Sequence, residues 1–394
     1  MGFVPPRPGP LCAAAAVAAA AALGAPGSAS GAPALMTSNN ATMPAVGGGR
    51  VFWAEEHGRH AEVRMARPGG RPRTIFRITG PHARSAPSYA QIVSISASRQ
   101  LVAFTVSTGY GDPFTCGAIE EHPAGDPRCR AGRETRSALY AGPIGGPYRQ
   151  LSGVDGQRAA RCLRGTGPGT IDVSGGVIAW AEVQVRCTGG NRDATSRLVV
   201  RGGRGSGRKR VLATCVIYRT SDPHNDRIAL AGDYLAWSPE ACDRRQRVRL
   251  FRWRSGAQIY RLPYYWFLDP FDMARDATVI GQHTNSSSGG DQHGYLVSFA
   301  PSRHPKARVL GHFGADIAAV GVAPRGLAVE YKPSDTSSTD VLVATDRHGG
   351  HRRVLAGGLV PDFPWMDFDG SVAAWTNGNP PVRLYAARAP NAGR

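Results

Sequence analysis

Lysine is nearly missing from this sequence. Only Lys209, Lys306 and Lys332 are present, so 44 of the 47 basic residues are arginine. Set against 29 acidic residues they give a formal charge of +18. The arginines are spread along the chain, with GRGSGRKR (203–210) the one cluster. A dispersed basic surface is therefore expected, and a discrete nucleic-acid site is disfavoured. Long apolar runs are also missing. The longest, Leu11 to Leu23, has 13 residues, short of the ~20 needed to cross a bilayer. No GxSxG elbow, HExxH pair or P-loop occurs, and no close CxxC pair suggests a zinc or redox site. Together these absences leave no catalytic signature, no metal site, no cofactor and no transmembrane segment to expect in the mature chain.

Glycine and proline are plentiful, 50 and 30 in 394 residues. Such a chain breaks often into turns and does not build a helical bundle. With 42% hydrophobic residues it can still bury a large core. The first segment reads as an export signal. Arg7 precedes the apolar run, and Ser28-Ala29-Ser30 or Ala32-Pro33-Ala34 offers a small-residue cleavage site. Residues 1–34 are expected to be signal peptide and linker, and 35–394 a single secreted or extracytoplasmic domain.

A repeated apolar strand organises that domain. The copies are VFWAE (51–55), VAFTV (102–106), IAWAE (178–182), LAWSP (235–239), VIGQH (279–283), LAVEY (327–331) and AAWTN (373–377). Their central positions are Trp53, Phe104, Trp180, Trp237, Gly281, Val329 and Trp375, separated by 51, 76, 57, 44, 48 and 46 residues. Most of these intervals match the ~40–50-residue period of propeller blades. Each copy is preceded by a short strand, as in TIDVSG (170–175), and followed by an alternating strand such as RVRLFRWRSG (247–256). A fourth short run follows in six copies, as in AQIYRL (257–262). The expectation is an all-β fold, a β-propeller of seven four-stranded blades. Blade 7 lacks a fourth strand of its own, and the spare segment Leu35 to Met43 is expected to supply it and close the ring.

In this pattern the chain resembles the secreted TolB-like and WD40-like propeller families, although neither a WSPDG-type turn nor a regular GH…WD signature is present. The resemblance implies the fold and no particular activity.

Beyond Cys12 the cysteines are Cys116, Cys129, Cys162, Cys187, Cys215 and Cys242. An even number in an exported chain suggests disulfides. Placed on the propeller, they fall in connections between blades and in second-to-third-strand loops on one face. The expected pairs are Cys116–Cys129, Cys162–Cys187 and Cys215–Cys242, each contributing up to about 2–4 kcal/mol.

Two sets of residues are candidates for function. Tyr264, Tyr265, Trp266 and Phe267, with Phe363 and Trp365, lie in inter-blade connections and offer flat rings to a ligand. Asp172, Asp272 and Asp367 lie on innermost strands, where they either bond neighbouring blades or form a carboxylate ring for acid–base chemistry. Asp369-Gly370 reads as a structural turn. The loops with Asp222, His224 and Asp226, and with His283, Asp291 and His293, mix ligand types without a metal-binding spacing. From sequence the leading expectation is a non-catalytic module that binds a protein or an anionic cell-envelope polymer through the disulfide-pinned face. The alternative is a glycan-active hydrolase or lyase using Asp172, Asp272 and Asp367.

Overall fold

In the computed structural model the described residues are 33–37, 41–81, 88–110, 136–155, 165–188, 191–203, 206–217, 226–239, 248–262, 268–283, 294–324, 326–360, 366–378 and 382–389. They form seven antiparallel four-stranded sheets, and no helix occurs among them. Six sheets use consecutive strands: residues 41–79, 88–155, 165–217, 227–261, 268–312 and 316–359 make blades 1 to 6. Blade 7 is built from Met366–Phe368, Val372–Asn377 and Arg383–Arg388, with the N-terminal strand Ala34–Thr37 added outside.

That N-terminal strand closes the ring. Ala34 sits opposite Ala386, Leu35 opposite Tyr385 and Thr37 opposite Leu384. The segment expected to do this is shorter than Leu35 to Met43, because Ala41–Gly47 turns back as the inner strand of blade 1. Closure of this kind removes an exposed sheet edge and ties the two chain ends together.

The apolar positions explain the packing. Strand side chains alternate between faces, and both faces of a blade meet a neighbour. Seven clusters of buried apolar side chains result, one at each blade interface. The second-strand tryptophans Trp53, Trp180, Trp237 and Trp375 are buried in four of them. In blade 5 the corresponding position is Gly281. A Cβ there would lie 2.7 Å from the Pro270 carbonyl oxygen and 2.7 Å from Phe271 Cβ. Phe271 and the fully buried Phe299 fill the space that an aromatic second-strand residue fills elsewhere.

The turn at Asp369-Gly370 is structural, as its sequence suggests. Asp369 Oδ1 accepts from Ser371 N at 2.9 Å and Val372 N at 3.0 Å, and Gly370 has φ 90°. Only glycine adopts that conformation without strain.

Candidate functional site

The central channel wall is made by the seven inner strands. One position recurs along it, eight residues before the second-strand reference and nine in blade 5. Its occupants in blades 1 to 7 are Ala45, Ser96, Asp172, Ala229, Asp272, Gly321 and Asp367. The structure brings the three aspartates to this common wall, half-buried, one each from blades 3, 5 and 7.

Each aspartate reaches into the next blade. Asp172 accepts from Leu230 N of blade 4 at 2.6 Å, Asp272 from Val322 N of blade 6 at 2.7 Å, and Asp367 from Val46 N of blade 1 at 2.6 Å. The other oxygen of each accepts from the N–H of the following residue: Val173 at 2.7 Å, Met273 at 2.6 Å and Phe368 at 2.7 Å. That local bond fixes the side chain's direction. Ser96 performs the same task in blade 2, accepting from Val173 N at 3.0 Å and donating to Asp172 Oδ1 at 2.9 Å. Ala45, Ala229 and Gly321 have no side-chain acceptor, so no such bond crosses from blades 1, 4 and 6.

Burial and like charge make these carboxyls poor acids. Burial raises Asp172 to about 6 despite the bonds from Leu230, Ser96 and Val173. Asp272 rises to about 8, through burial and then the Asp172 and Asp367 charges across the channel. Asp367 rises to about 7, mainly through burial, with Asp172 and Asp369 adding to it. Groups near neutrality suit acid–base chemistry, but every oxygen here already accepts a backbone N–H. The arrangement shows inter-blade bonding at all three positions.

Other acidic groups sit deeper in the interfaces. Glu330 is almost fully buried, Oε2 has no hydrogen-bond partner, and burial followed by the neighbouring Asp340 charge raises its pKa to about 7. Glu55 and Glu182 stand two residues after Trp53 and Trp180. Glu55 accepts from Trp53 Nε1 and from Arg64, both at 2.8 Å, and Glu182 accepts from Lys209 at 2.7 Å and Ser152 at 2.8 Å. The Trp-Ala-Glu triplet shared by blades 1 and 3 is the sequence signal for these buried carboxylates.

Two residues of the basic cluster at 203–210, Lys209 and Arg210, are engaged. A cavity of about 490 Å³ is lined by Arg208, Lys209, Arg210 and Val211. Lys209 is paired with Glu182, and Arg210 donates to the carbonyls of Trp253, Arg254 and Ser255 in blade 4. The cluster thus straps blade 3 to blade 4.

The cysteines depart from their expected positions. Cys187 lies within the second strand of blade 3, Val177–Thr188, rather than in the loop after it. That hairpin is long, because the paired strands run on to Thr188 and Asn191. Cys215 lies in the outer strand Arg210–Ile217, not in the connection to blade 4, and is disulfide-bonded. Cys116, Cys129, Cys162 and Cys242 fall outside the described residues. So do Tyr264, Tyr265, Trp266, Phe267, Phe363 and Trp365, as well as Asp222, His224, Asp291 and His293. His283 ends the second strand of blade 5. Asp226 is buried and accepts from Ser196 Oγ at 2.6 Å and Trp237 Nε1 at 3.2 Å. Among the described residues, no group of three or more His, Cys, Asp or Glu is placed to hold a metal ion, and no helix is long and apolar enough to cross a membrane.

No family model matches the chain, and no curated protein matches its sequence. Solved structures do resemble it. Two are of the acylaminoacyl peptidase of Pyrococcus horikoshii, each at 8% identity. The uncomplexed form has a TM-score of 0.52 and covers 88% of this chain and 51% of its own. The orthorhombic form has 0.51 and covers 91% and 54%. A third is the β-propeller domain of the Trilobed protease of Pyrococcus furiosus, at 12% identity, TM-score 0.45, and 75% and 80% coverage. The chain is a β-propeller. It spans about half the length of the acylaminoacyl peptidases it resembles. These likenesses narrow the TolB-like and WD40-like resemblance to the propeller fold itself. They also correct the leading functional expectation. Neither acylaminoacyl peptidase likeness supports the expected non-catalytic module for a protein or an anionic envelope polymer.

Proposed function

We propose that this propeller serves peptide hydrolysis, as a ring that selects peptides for a hydrolytic centre. One observation carries the reading: 88% and 91% of the chain superpose on two acylaminoacyl peptidase structures. In this reading Asp172, Asp272 and Asp367 hold the ring together and do not themselves cleave substrate, because both oxygens of each accept backbone N–H groups. The Leu11 to Leu23 run supports a location outside the cytoplasm. The bridges Cys116–Cys129, Cys162–Cys187 and Cys215–Cys242 belong to the same proposal, and the disulfide at Cys215 supports the last.

A second reading is the glycan-active hydrolase. The raised pKa values of Asp272 and Asp367 favour it, since a general acid must keep its proton near neutrality. One experiment separates the two. The oxidised mature protein is incubated with free and N-acylated peptides of graded length, and with oligosaccharides, at pH 5 and 8. Products are read by mass spectrometry. Peptide cleavage with a length limit supports the first reading. Sugar cleavage lost in Asp272→Asn supports the second. Intact oligosaccharides refute the second reading, and the first is refuted if, in the same mixtures, the ring retains none of the peptides.

A further inference from the structure

We infer that one mouth of the central channel, on the side of the inner-strand turns, recognises a peptide carboxylate and so selects anionic peptides. The inference rests on the peptide reading above and names the substrate class within it. It is carried by the charges that the turn between the inner and second strands of each blade sets around that mouth.

An inner strand runs along the channel wall, so the turn that ends it stands at one mouth. These turns touch one another along the ring. Asp369 Oδ2 of blade 7 accepts from Gly49 N of blade 1 at 3.1 Å. A Cβ on Gly48 of blade 1 would lie 3.2 Å from Arg99 Cα of blade 2. Ser98 Oγ of blade 2 donates to the Gly175 carbonyl of blade 3 at 2.7 Å, and Ser174 Oγ of blade 3 accepts from Gly232 N of blade 4 at 3.2 Å. A Cβ on Gly232 would lie 3.9 Å from the Arg275 carbonyl oxygen of blade 5. The rim is therefore braced before any ligand arrives, and Arg50, Arg99 and Arg275 are mounted on it.

Their charges are uncompensated. Arg99 and Arg275 are exposed and Arg50 is half-buried. None of the three forms an ion pair among the described residues. The aspartates of the rim are already occupied. Asp233 pairs with Arg254 at 2.6 Å and Asp276 with Arg347 at 2.8 Å, both arginines coming from turns between third and fourth strands. Asp369 accepts from the N–H groups of Gly49, Ser371 and Val372. The opposite end of the wall mixes both signs, with Glu56, Arg227 and Asp316. A mouth dominated by one sign concentrates its field and draws the opposite ion from solution.

The wall limits how far an anion enters. Asp172, Asp272 and Asp367 stand three residues before Gly175, Arg275 and Gly370, which is about 10 Å inside the rim at the rise of a strand. These carboxyls offer a second carboxylate no attraction, so the peptide acid is held at the mouth. Its source is a Glu or Asp side chain or the C-terminus, since both present the same group to a guanidinium.

Fluorescence anisotropy of labelled octapeptides on the oxidised mature protein tests the inference. The peptides are matched in sequence, carry two Glu or two Gln, and end in a free or an amidated C-terminus. Exposed ion pairs are each worth up to about fivefold in affinity. Carboxylate peptides should therefore bind about three- to tenfold more tightly than their neutral partners, and less so as salt is raised. Preference for Glu over Gln assigns side chains as the source, and preference for acid over amide assigns the terminus. Arg99→Gln/Arg275→Gln should abolish the preference. Arg59→Gln/Arg383→Gln removes the same charge from exposed positions on the other side of the ring and should retain it. Equal affinity of wild type for charged and neutral peptides would overturn the inference and leave the peptide reading standing. A preference that persists in the rim variant, or is lost equally in both variants, would also overturn it. Absence of binding to every peptide would sink both.

Discussion

Removing the closing strand is the most direct perturbation of this ring. Met36 is the buried residue of that strand, 7% exposed, and packs with Val46, Trp53, Val372 and Leu384 at the interface of blades 7 and 1. Burying a methionine side chain contributes about 1.5–3 kcal/mol, and truncating one in a packed core costs about 2–5 kcal/mol once the cavity is included. Met36 lies on an outer strand that can relax, so Met36→Ala should cost about 2–3 kcal/mol. The assay is urea unfolding, read as a fall in midpoint at unchanged slope. A chain beginning at Ala41 goes further and leaves Arg383–Arg388 with an unpaired edge. Exposed edges recruit other strands, so this chain should self-associate in light scattering and be cut by protease in blade 7. A Met36→Ala cost under about 0.5 kcal/mol, with a truncated chain that stays monomeric and protected, would show that residues 34–37 do not close the ring.

Three further outcomes follow from buried groups. Glu55→Ala strands the Trp53 indole and the Arg64 guanidinium, and should destabilise by about 3–5 kcal/mol, while Glu55→Gln should lose roughly half of that; both are read by urea midpoint. Glu330, with its pKa raised to about 7, contributes stability below about pH 4.5 that is lost as pH rises through 7. Glu330→Gln should therefore be more stable than wild type at pH 8, by about 1–3 kcal/mol, and the difference should shrink by pH 4.5; an equal offset at both pH values refutes the assignment. Gly281→Ala puts a Cβ 2.7 Å from the Pro270 carbonyl oxygen and should cost about 1–3 kcal/mol, visible as a lower thermal midpoint.

Much of the fold was legible because its periodicity is carried by single large residues. Trp53, Trp180, Trp237 and Trp375 mark the same strand of four blades, and burial at one interface each is what keeps them there. Blade 5 was harder to read, since its aromatic volume moved from the second strand to Phe271 and Phe299, leaving Gly281 as the visible residue. Strand lengths were less legible. Blade 3 pairs continuously from Val177 to Thr188 and from Asn191 to Arg201 through polar residues such as Gln184, Arg186, Asp193 and Thr195. Polar composition alone reads as loop, and this placed Cys187 off its strand. The aspartates were found by spacing, and bonding between neighbouring blades is one of the two tasks that their place on inner strands allows; the backbone group each one reaches was not legible, because an acceptor aimed at the next blade's backbone leaves no mark in that blade's side chains.

The interfaces divide the work of closure between apolar and polar contacts. The interface of blades 3 and 4 has the smallest apolar cluster among the described residues, six buried side chains. It also carries the densest polar bonding: Asp172 to Leu230, Ser174 to Gly232, Ser196 to Asp226, and Arg210 to three carbonyls. Blades 4 and 5, where Ala229 occupies the position of the bonded aspartates, bury thirteen apolar residues together, and blades 1 and 2, with Ala45 there, bury eleven. The two kinds of contact respond differently to solution conditions. Apolar burial is insensitive to pH at constant temperature, whereas bonds made by ionisable groups are not. The joints after blades 3, 5 and 7 thus carry a carboxyl bonded across them, whereas those after blades 1 and 4 lack it and rest on their larger apolar clusters.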